Sequence, residues 1–445
     1  MPVIGGVADD LTGATTTGVL LARSKAKTAV FFNEEAALKC GDSEKLEAVL
    51  ISSNSRALSA DEAYQKVGDS MKALKQMGVK YFTKRIDTTL RGGIGVEIDA
   101  MMDQMGEDAI AVVVPAMPQS RRILVGGYSI IDGVALINTP VAQDVKTPVK
   151  ENFVPKLLSG QTKRKIGQVT LEVILKGESA IKEELKKRQE EGCKVIVVDG
   201  ITLEDVENVA KACIDLRWNI LAVDPGPFTS KLAYARELIQ DEECNMPPEE
   251  EADKTVLIAA GSATPVTKRQ MEVLCENPDV KRISIDPLKL IAGGEAAEEE
   301  VAKAVEKALV LFDEEKVYKA ILFETALHGE LLNLSEEDAK RHYADGMSSN
   351  RINAGLGMVI SHILEQKGRD KIAGLYTTGG DTMVNVCYQL GVESIEVIDY
   401  VIPQTDVCRL IGSYEGLPIV GKGGLTGNEN TACDIVQRLR REATR

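Results

Sequence analysis

Acidic and hydroxyl side chains directly follow the first apolar run of the chain. Asp9, Asp10 and Thr12 come after residues 3–8, where a buried parallel strand would end and a helix would begin. The carboxyl edge of a parallel sheet is where α/β proteins bind ligands, and carboxylates there can accept hydrogen bonds from sugar hydroxyl groups. The same side chains could instead cap the next helix by accepting hydrogen bonds from its free N–H groups. The sequence leaves both interpretations open.

A compact group of charges lies farther along the chain. Lys84, Arg85, Asp87 and Arg91 lie close together and precede the glycines at 92–95. The whole chain has 53 Lys and Arg against 68 Asp and Glu, a formal net charge of −15. An anionic ligand therefore needs a local basic site, and arginine can bind a carboxylate or phosphate through two hydrogen bonds. This group favours an anion receptor, and a solvated turn with surface ion pairs is the alternative.

Two glycine-rich turns follow apolar runs near the end of the chain. The first is Gly379–Gly380–Asp381–Thr382 and the second is Lys422–Gly423–Gly424. Because glycine has no Cβ, the backbone can approach a pyrophosphate closely at a helix N-terminus. Asp381 would repel a bare phosphate unless it caps the helix, meets a ribose hydroxyl or acts through Mg²⁺. Together the two turns predict a nucleotide-binding region.

A third turn, Gly261–Ser262, precedes a helix start with Thr264 as N-cap and Pro265 in the first position. Its N–H groups could receive a phosphate, but plain helix initiation explains the segment equally well. The common nucleotide motifs are incomplete. Residues 416–423 fit GxxxxGK without the Ser or Thr that ends a P-loop, and no GxGxxG is completed.

These turns need a scaffold of strands and helices. Short apolar runs alternate with segments of helical periodicity, the longest of them from about 336 to 365. Residues 241–254 are acidic and aperiodic, as expected of a linker. We therefore predict an α/β protein of two domains, each a largely parallel sheet flanked by helices, with the active site in the interdomain cleft. The predicted boundaries are 1–240 for the first domain, 241–254 for the linker and 255–445 for the second domain.

Composition argues against several classes of function. The negative net charge disfavours general affinity for nucleic acid or an anionic membrane. No apolar stretch approaches the ~20 residues that span a bilayer, and no signal peptide is evident. The eight cysteines form no CxxC pair and the three histidines no HExxH pair, so neither a zinc site nor a histidine metal centre is expected. Reduced thiols predict a cytoplasmic protein.

In order along the chain, these segments resemble one family. The set covers nearly the whole sequence and is similar to the four-carbon acid sugar kinases. The resemblance implies an N-terminal domain that binds a four-carbon sugar acid and a C-terminal domain that binds ATP. It also implies phosphorylation of the terminal hydroxyl of threonate, erythronate or 3-oxo-tetronate. The segments that carry it are 8–14, 84–92, 115–118, 127–128, 132–133, 261–262, 378–382 and 422–424.

The resemblance further implies roles for particular residues, with ATP as cosubstrate and Mg²⁺ as its metal. No metal ligand is assigned. The residues expected on the sugar-acid side are Asp9, Asp10, Lys84, Asp87 and Arg91. The residues expected to contact ATP are Ser262, Gly379, Gly380, Asp381, Thr382, Met383, Lys422 and Gly423.

The mechanistic hypothesis is in-line transfer of a γ-phosphoryl group. Asp10 is the first choice for the carboxylate that orients the attacking hydroxyl and accepts its proton, and Asp87 is the second. Arg91 and Lys84 would hold the substrate carboxylate or neutralise the moving phosphoryl group. A non-catalytic sensor of sugar acids and nucleotides is the alternative, and a nicotinamide-dependent oxidoreductase fits less well. The expected partners are small molecules, with no nucleic acid and no membrane, and a homodimer is left open.

Overall fold

The computed structural model describes residues 1–144, 147–241, 247–327 and 331–445. The described residues before position 242 form one compact unit, and those after position 246 form a second. Within the predicted linker, residues 242–246 lie outside the described residues. Near its end, Glu251 pairs with Arg440 of the second unit at 2.8 Å. Each unit is a mostly parallel sheet flanked by helices, which confirms the predicted fold class.

The first unit contains a wholly parallel sheet whose strands are buried on both faces, because helices cover both sides. The strands of this unit are β1 (Ile4–Ala8), β2 (Thr28–Phe31), β3 (Ala48–Ser52), β4 (Tyr81–Arg85), β5 (Ile110–Val113), β6 (Arg122–Val125), β7 (Tyr128–Ile131), β8 (Val134–Ala135), β9 (Ile166–Val169), β10 (Val195–Val198) and β11 (Ile220–Asp224). The order in the large sheet is β2-β3-β1-β4-β11-β5-β10-β9. Strands β6, β7 and β8 form a separate antiparallel sheet, which the periodicity of the sequence did not predict.

The helices of the first unit begin where the sequence supplies capping residues. Ser59 and Glu62 form a capping box at one helix start, and Thr202 and Asp205 form a second. The helices are α1 (Leu11–Arg23), α2 (Glu34–Lys39), α3 (Ala60–Gln76), α4 (Ile94–Met105), α5 (Val154–Ser159), α6 (Leu171–Ile174), α7 (Glu178–Glu190), α8 (Leu203–Leu216) and α9 (Pro227–Ala235).

The second unit has a mixed sheet in the order β13-β14-β12-β15-β18-β17-β16. Its first five strands are parallel, and β17 is antiparallel to both of its neighbours. The strands are β12 (Thr255–Ala260), β13 (Val280–Ser284), β14 (Ala320–Glu324), β15 (Ile372–Thr378), β16 (Ser394–Ile402), β17 (Thr405–Ile411) and β18 (Pro418–Lys422). The helices are α10 (Pro265–Cys275), α11 (Pro287–Ala292), α12 (Gly294–Phe312), α13 (Leu334–Arg341), α14 (Met347–Lys367), α15 (Gly380–Gln389) and α16 (Thr431–Glu442).

The predicted helix from about 336 to 365 is wrong as a single element, because the structure divides it into α13 and α14. His342 and Gly346 have φ values of 55° and 84°, which no continuous right-handed helix contains. Asp338 stabilises the break by accepting hydrogen bonds from the N–H groups of Gly346 and Ser348, both at 2.8 Å. The helical spacing of apolar residues continues across this turn, and so the sequence pattern alone does not reveal the break.

The predictions about membrane-spanning helices and about cysteines can be compared with the described part of the chain. None of its helices combines the length and the apolar character needed to cross a bilayer. Its cysteines are free thiols, and Cys244 lies outside the described residues.

Candidate active site

The first candidate site lies at the carboxyl end of β1. This strand runs between β3 and β4, and Ala8 is paired with Ser52 on one side and Arg85 on the other. The chain adds β2 and β3 on one side of β1 and returns on the other side with β4. Such a reversal of strand order opens a crevice above the strand ends. The segments that follow β1, β3 and β4 therefore meet at one edge of the sheet.

Two carboxylates and two guanidinium groups form an ion-pair network at this edge. Arg56 Nε lies 2.7 Å from Asp9 Oδ2, and Arg56 Nη1 lies 2.8 Å from Asp10 Oδ2. Arg85 Nη1 lies 3.3 Å from Asp9 Oδ1 and 3.2 Å from Asp10 Oδ1. Arg56 Nη2 and Arg85 Nε are buried and have no hydrogen-bond partner among the described residues. Unmatched buried donors are costly, so these two groups favour an anionic ligand.

Of the two interpretations that the sequence left open for Asp10, the structure shows the helix cap. Asp10 is the N-cap of α1, and its Oδ1 accepts a hydrogen bond from Gly13 N at 2.7 Å. Its side chain is 29% exposed, whereas that of Asp9 is 3% exposed. Asp9 therefore anchors the two arginines from below, while the carboxylate of Asp10 remains accessible to a ligand.

Asp87 and Arg91 lie together at the end of β4. Arg91 Nε donates to Asp87 Oδ2 at 2.6 Å, and the hydroxyl of Thr89 donates to the same oxygen. Arg91 Nη1 lies 3.3 Å from Asp144 Oδ2. The carboxylate of Asp87 is buried, and Arg91 is 27% exposed. Asp87 thus holds Arg91 in place, and the guanidinium is the part of this pair that a ligand can reach.

Lys84 lies near the end of β4, close enough to Asp9 for its charge to lower the pKa of that carboxyl. Its side chain is fully buried, and Nζ lies 2.8 Å from Glu97 Oε2 of α4. The ammonium group also donates to the carbonyl of Arg85 at 2.8 Å, and Glu97 accepts a hydrogen bond from the hydroxyl of Ser55. Lys84 therefore joins β4, α4 and the segment after β3.

The second unit repeats the reversal of strand order around β12. Strands β13 and β14 lie on one side of β12, and β15 and β18 lie on the other. Ala260 pairs with Thr378, which in turn pairs with Lys422. The three glycine turns that the sequence singled out therefore begin level with one another at the carboxyl edge of the sheet.

Hydrogen bonds join these three turns directly. Ser262 N donates to Thr378 Oγ1 at 3.1 Å, and Gly379 N donates to the carbonyl of Lys422 at 2.8 Å. The hydroxyl of Thr264 donates to the carbonyl of Gly424 at 2.5 Å. Gly379 has φ of 105°, a conformation open to glycine and strained for other residues. The structure thus brings Ser262, Gly379 and Gly423 to one place.

Helix α15 begins at this place, and its first turn divides into exposed and buried side chains. Its N-cap is Gly379, and so Asp381 does not cap the helix. The side chain of Asp381 is exposed in the first turn. Thr382 is buried and donates to Asn353 Oδ1 at 2.8 Å, while Met383 packs inside. Gly380 and the backbone of the first turn are the parts that a phosphate could contact.

Lys422 is buried at the end of β18. Its Nζ donates to the carbonyl of Gly423 at 2.7 Å and lies 3.3 Å from that of Thr426. Burial lowers the pKa of Lys422 to about 8. The side chain therefore shapes the glycine turn and places its positive charge beneath the turn.

Each of the two units matches a known protein family. Residues 4–232 match a family described as a sugar-binding N-terminal domain, and residues 257–432 match one described as a nucleotide-binding C-terminal domain. A D-erythronate kinase of Heliobacterium modesticaldum is 37% identical over 97% of this chain and 96% of its own length. The chain belongs to the four-carbon acid sugar kinase family. It is therefore a phosphotransferase, and the sensor and oxidoreductase alternatives are set aside.

Other relatives of this kinase extend the comparison. A D-threonate kinase of Salmonella typhimurium is 29% identical over 97% of this chain and 96% of its own length. The fold is shared with a solved structure from Salmonella typhimurium LT2, with a TM-score of 0.80 and 19% identity over 98% of this chain and 99% of the other. It is also shared with a Haemophilus influenzae structure, with a TM-score of 0.73 and 21% identity over 99% of each chain.

The pKa values of the three carboxylates in the kinase's first site shift in different directions. Burial raises the pKa of Asp10, and the neighbouring Asp9 adds to this effect, so the net shift is upward despite Arg56. Burial also acts on Asp9 and Asp87, but the nearby cations outweigh it and lower the pKa of both carboxyls. Arg56 makes the largest of these cationic contributions in each case. Asp10 is therefore the carboxylate most suited to accept a proton.

Arg56 is the principal site residue that the sequence analysis missed. It lies four positions beyond the end of β3, in the polar segment 52–56 that follows an apolar run. The same signal, polar residues directly after a buried strand, had identified Asp9 and Asp10. Applied to this segment, it would have found Arg56 as well.

A cavity of about 560 Å³ adjoins the first site of the kinase. Arg56 forms part of its wall, together with Gly92 and Gly93 before α4 and the side chains of Lys150 and Gln161. Its volume lies within the range of about 300–1,000 Å³ that is typical of small-molecule sites. The cavity has room for a small polar acid beside the exposed part of Arg56.

Proposed function

We propose that this kinase transfers the γ-phosphoryl group of ATP to the terminal hydroxyl of a four-carbon sugar acid. Erythronate and threonate are the first candidates, because the relatives above carry those names. The observation that carries the proposal is the pairing of Arg56 with Asp10. A guanidinium group with an unmatched donor lies beside a partly exposed carboxylate whose pKa is raised. One binds the acid, and the other accepts the proton of its hydroxyl.

On the sugar-acid side, Arg56 and Arg91 would hold the substrate carboxylate or neutralise charge on the moving phosphoryl group. Asp10 orients the attacking hydroxyl and removes its proton as the new P–O bond forms. Asp87 fixes Arg91 and remains ionised, since its pKa is lowered. Lys84 supports these groups from below through Glu97.

On the nucleotide side, the phosphates would contact the turns at Ser262, Gly379 and Gly423 and the first turn of α15. Mg²⁺ would neutralise charge on these phosphates. The described residues contain no group of three or more His, Cys, Asp or Glu that could hold a metal by themselves. Mg²⁺ commonly uses one or two carboxylates together with phosphate oxygens and waters. The exposed Asp381 fits that role.

The remaining expectations stay predictions. They are a reaction between the two units, a cytoplasmic location, the absence of nucleic-acid partners and a homodimer. Phosphoryl transfer depends on the first of them, and the roles assigned above need none of the others.

A panel of four-carbon acids tests the proposal. Erythronate, threonate and 3-oxo-tetronate are each incubated with ATP and Mg²⁺, ADP release is followed in a coupled assay, and ³¹P NMR locates the phosphate on the product. We expect turnover with at least one acid and a phosphate on the terminal oxygen. Phosphate on the carboxylate or an inner hydroxyl would contradict the proposal, as would the absence of turnover with every acid.

A further inference from the structure

A small cavity of about 150 Å³ lies in the second unit beside the glycine turns. It is formed by the segments after β12 and β14 and by the first half of α14. Gly261 and Ala263 line one side, and Ile352 and Asn353 line another. Ala326 and Leu332 come from the segment after β14. The first site and the roles proposed above do not use this cavity.

The lining of the cavity is suited to a flat, uncharged ring. Pro287, Ala326 and Leu332 supply apolar surface, and no charged side chain lines the cavity within the described ranges of the chain. The described part of this lining offers no cation to offset the lost hydration of a sugar acid or a phosphate. A cavity of about 150 Å³ accepts one benzene-sized ring in other proteins, whereas whole ligands of drug size need about 300 Å³ or more.

The cavity adjoins the proposed phosphate turns through two residues. A Cβ atom on Gly261 would lie 2.3 Å from Thr382 Oγ1 and 2.6 Å from Asn353 Oδ1, so the backbone packs directly on the start of α15. Asn353 lines the cavity and accepts the hydrogen bond from Thr382. Since its Oδ1 is engaged in this way, its amide nitrogen is the group that can donate to a ring nitrogen. A ring in the cavity and phosphates at α15 are thus neighbours.

We propose that this cavity binds the adenine ring of the nucleotide. The inference rests on the proposed function and adds to it the place where the base is recognised. Apolar contacts from Ile352 and Ala326 would cover the faces of the ring, and Asn353 would link base binding to the first turn of α15 through Thr382.

Filling the cavity from α14 tests the assignment. Ser349 lines the cavity, whereas the next residue, Asn350, is exposed and does not. The variants Ser349→Phe and Asn350→Phe carry the same new side chain at successive positions of one helix. Binding of ADP and of inorganic tripolyphosphate to the full chain is measured by calorimetry, since tripolyphosphate has the phosphates without the base. A second filling variant, Ala326→Leu, enters the cavity from the segment after β14.

We expect Ser349→Phe and Ala326→Leu to weaken ADP binding about tenfold or more and to change tripolyphosphate binding by less than about twofold. Asn350→Phe should leave both affinities close to those of the unmodified kinase. Equal ADP binding in all variants would overturn the assignment, and so would parallel losses of ADP and tripolyphosphate binding in a folded variant. Failure of the unmodified enzyme to turn over ATP would contradict the proposed function alone, because these binding measurements need no turnover.

Discussion

The three aspartates of the first site differ in their pKa values because their surroundings differ. Asp9 and Asp87 are buried against arginines, which keep their pKa values low. Asp10 is partly exposed at a helix start, and burial together with the charge of Asp9 raises its pKa. Groups whose environments separate their pKa values are typical of acid–base assignments.

Asp10→Asn should lower kcat by about 10²–10⁴-fold, the usual contribution of a general base. Asparagine keeps the cap of α1, so the fold should persist. In the unmodified enzyme, activity should fall as pH decreases through the raised pKa of Asp10, because the protonated carboxyl cannot accept a proton. The check is the pH profile of kcat for both proteins.

The matched control for that substitution is Asp87→Asn. It releases Arg91, so it should mainly raise the KM for the sugar acid and leave the acidic limb of the profile in place. A near-normal kcat in Asp10→Asn, or loss of the acidic limb in Asp87→Asn instead, would reverse the roles of the two carboxylates.

Lys84→Met should act on stability more than on substrate affinity. Removal of one partner leaves Glu97 buried without its cation, which costs about 3–5 kcal/mol in other buried pairs. The free energy of unfolding is measured by urea denaturation. The double variant Lys84→Met/Glu97→Gln should recover part of the loss, since it removes the unpaired charge. Unchanged stability with a large rise in the KM for the acid would instead show that Lys84 contacts the substrate.

At the scale of elements, α1 has to pass close to β4 for the first site to form. Gly13 permits this approach, because a Cβ atom there would lie 1.9 Å from Arg85 Nη1. Arg85 reaches Asp9 and Asp10 across the space that a side chain would otherwise fill.

Gly13→Ala should therefore reduce kcat/KM for the acid by at least about tenfold, since small displacements of site groups cost up to about a hundredfold. Helix propensity alone would make Gly13→Ala stabilising, because alanine is favoured over glycine in a helix by about 1 kcal/mol. A loss of activity therefore cannot be attributed to a weaker helix. Gly68→Ala in α3 is the control, as the nearest atom to its new Cβ lies 3.4 Å away on Gln104. Full activity in Gly13→Ala would show that Arg85 is not needed where it lies.

Local sequence signals predicted the turns of both sites, but not the partners of each side chain. The N-cap at Thr264 and the strand before Asp9 depend on adjacent residues, and both predictions are confirmed. The pairing of Arg56 with Asp10 depends on β3 lying beside β1. The order of strands in a sheet cannot be read from the periodicity of the sequence. Lys84 and Arg85 are neighbours on a strand and so point to opposite faces. The sequence alone did not show which face the site would occupy.

Strands β13 and β17 were harder to predict for a similar reason. Strand β13 buries Val280 and Ile283, and Lys281 and Arg282 lie between them in less buried positions. Charges there interrupt the continuous apolar run that marks a doubly buried strand. The position of a strand within its sheet depends on the fold as a whole. A short window of sequence does not contain this information.

At the scale of the whole molecule, the two units share one architectural device, for which we propose different ligands. Each places its functional turns where the strand order reverses, around β1 in one unit and β12 in the other. Charged side chains occupy the first reversal, and glycine turns occupy the second. A polar acid needs paired charges, whereas a polyphosphate needs close backbone donors.

Hydrogen exchange of the full chain should therefore separate the two ligands. ADP should slow amide exchange in the turns at 261–264, 379–383 and 423–427, and the sugar acid should slow it at 9–14 and in the two other segments of the first site, 54–58 and 85–92. At a ligand concentration of about 100 Kd, amides that exchange through opening of the site should slow by up to about a hundredfold. Each ligand added alone is the control for the other. Protection of 9–14 by ADP alone, with none at 379–383, would place the nucleotide in the wrong unit and refute the division of roles on which both proposals depend.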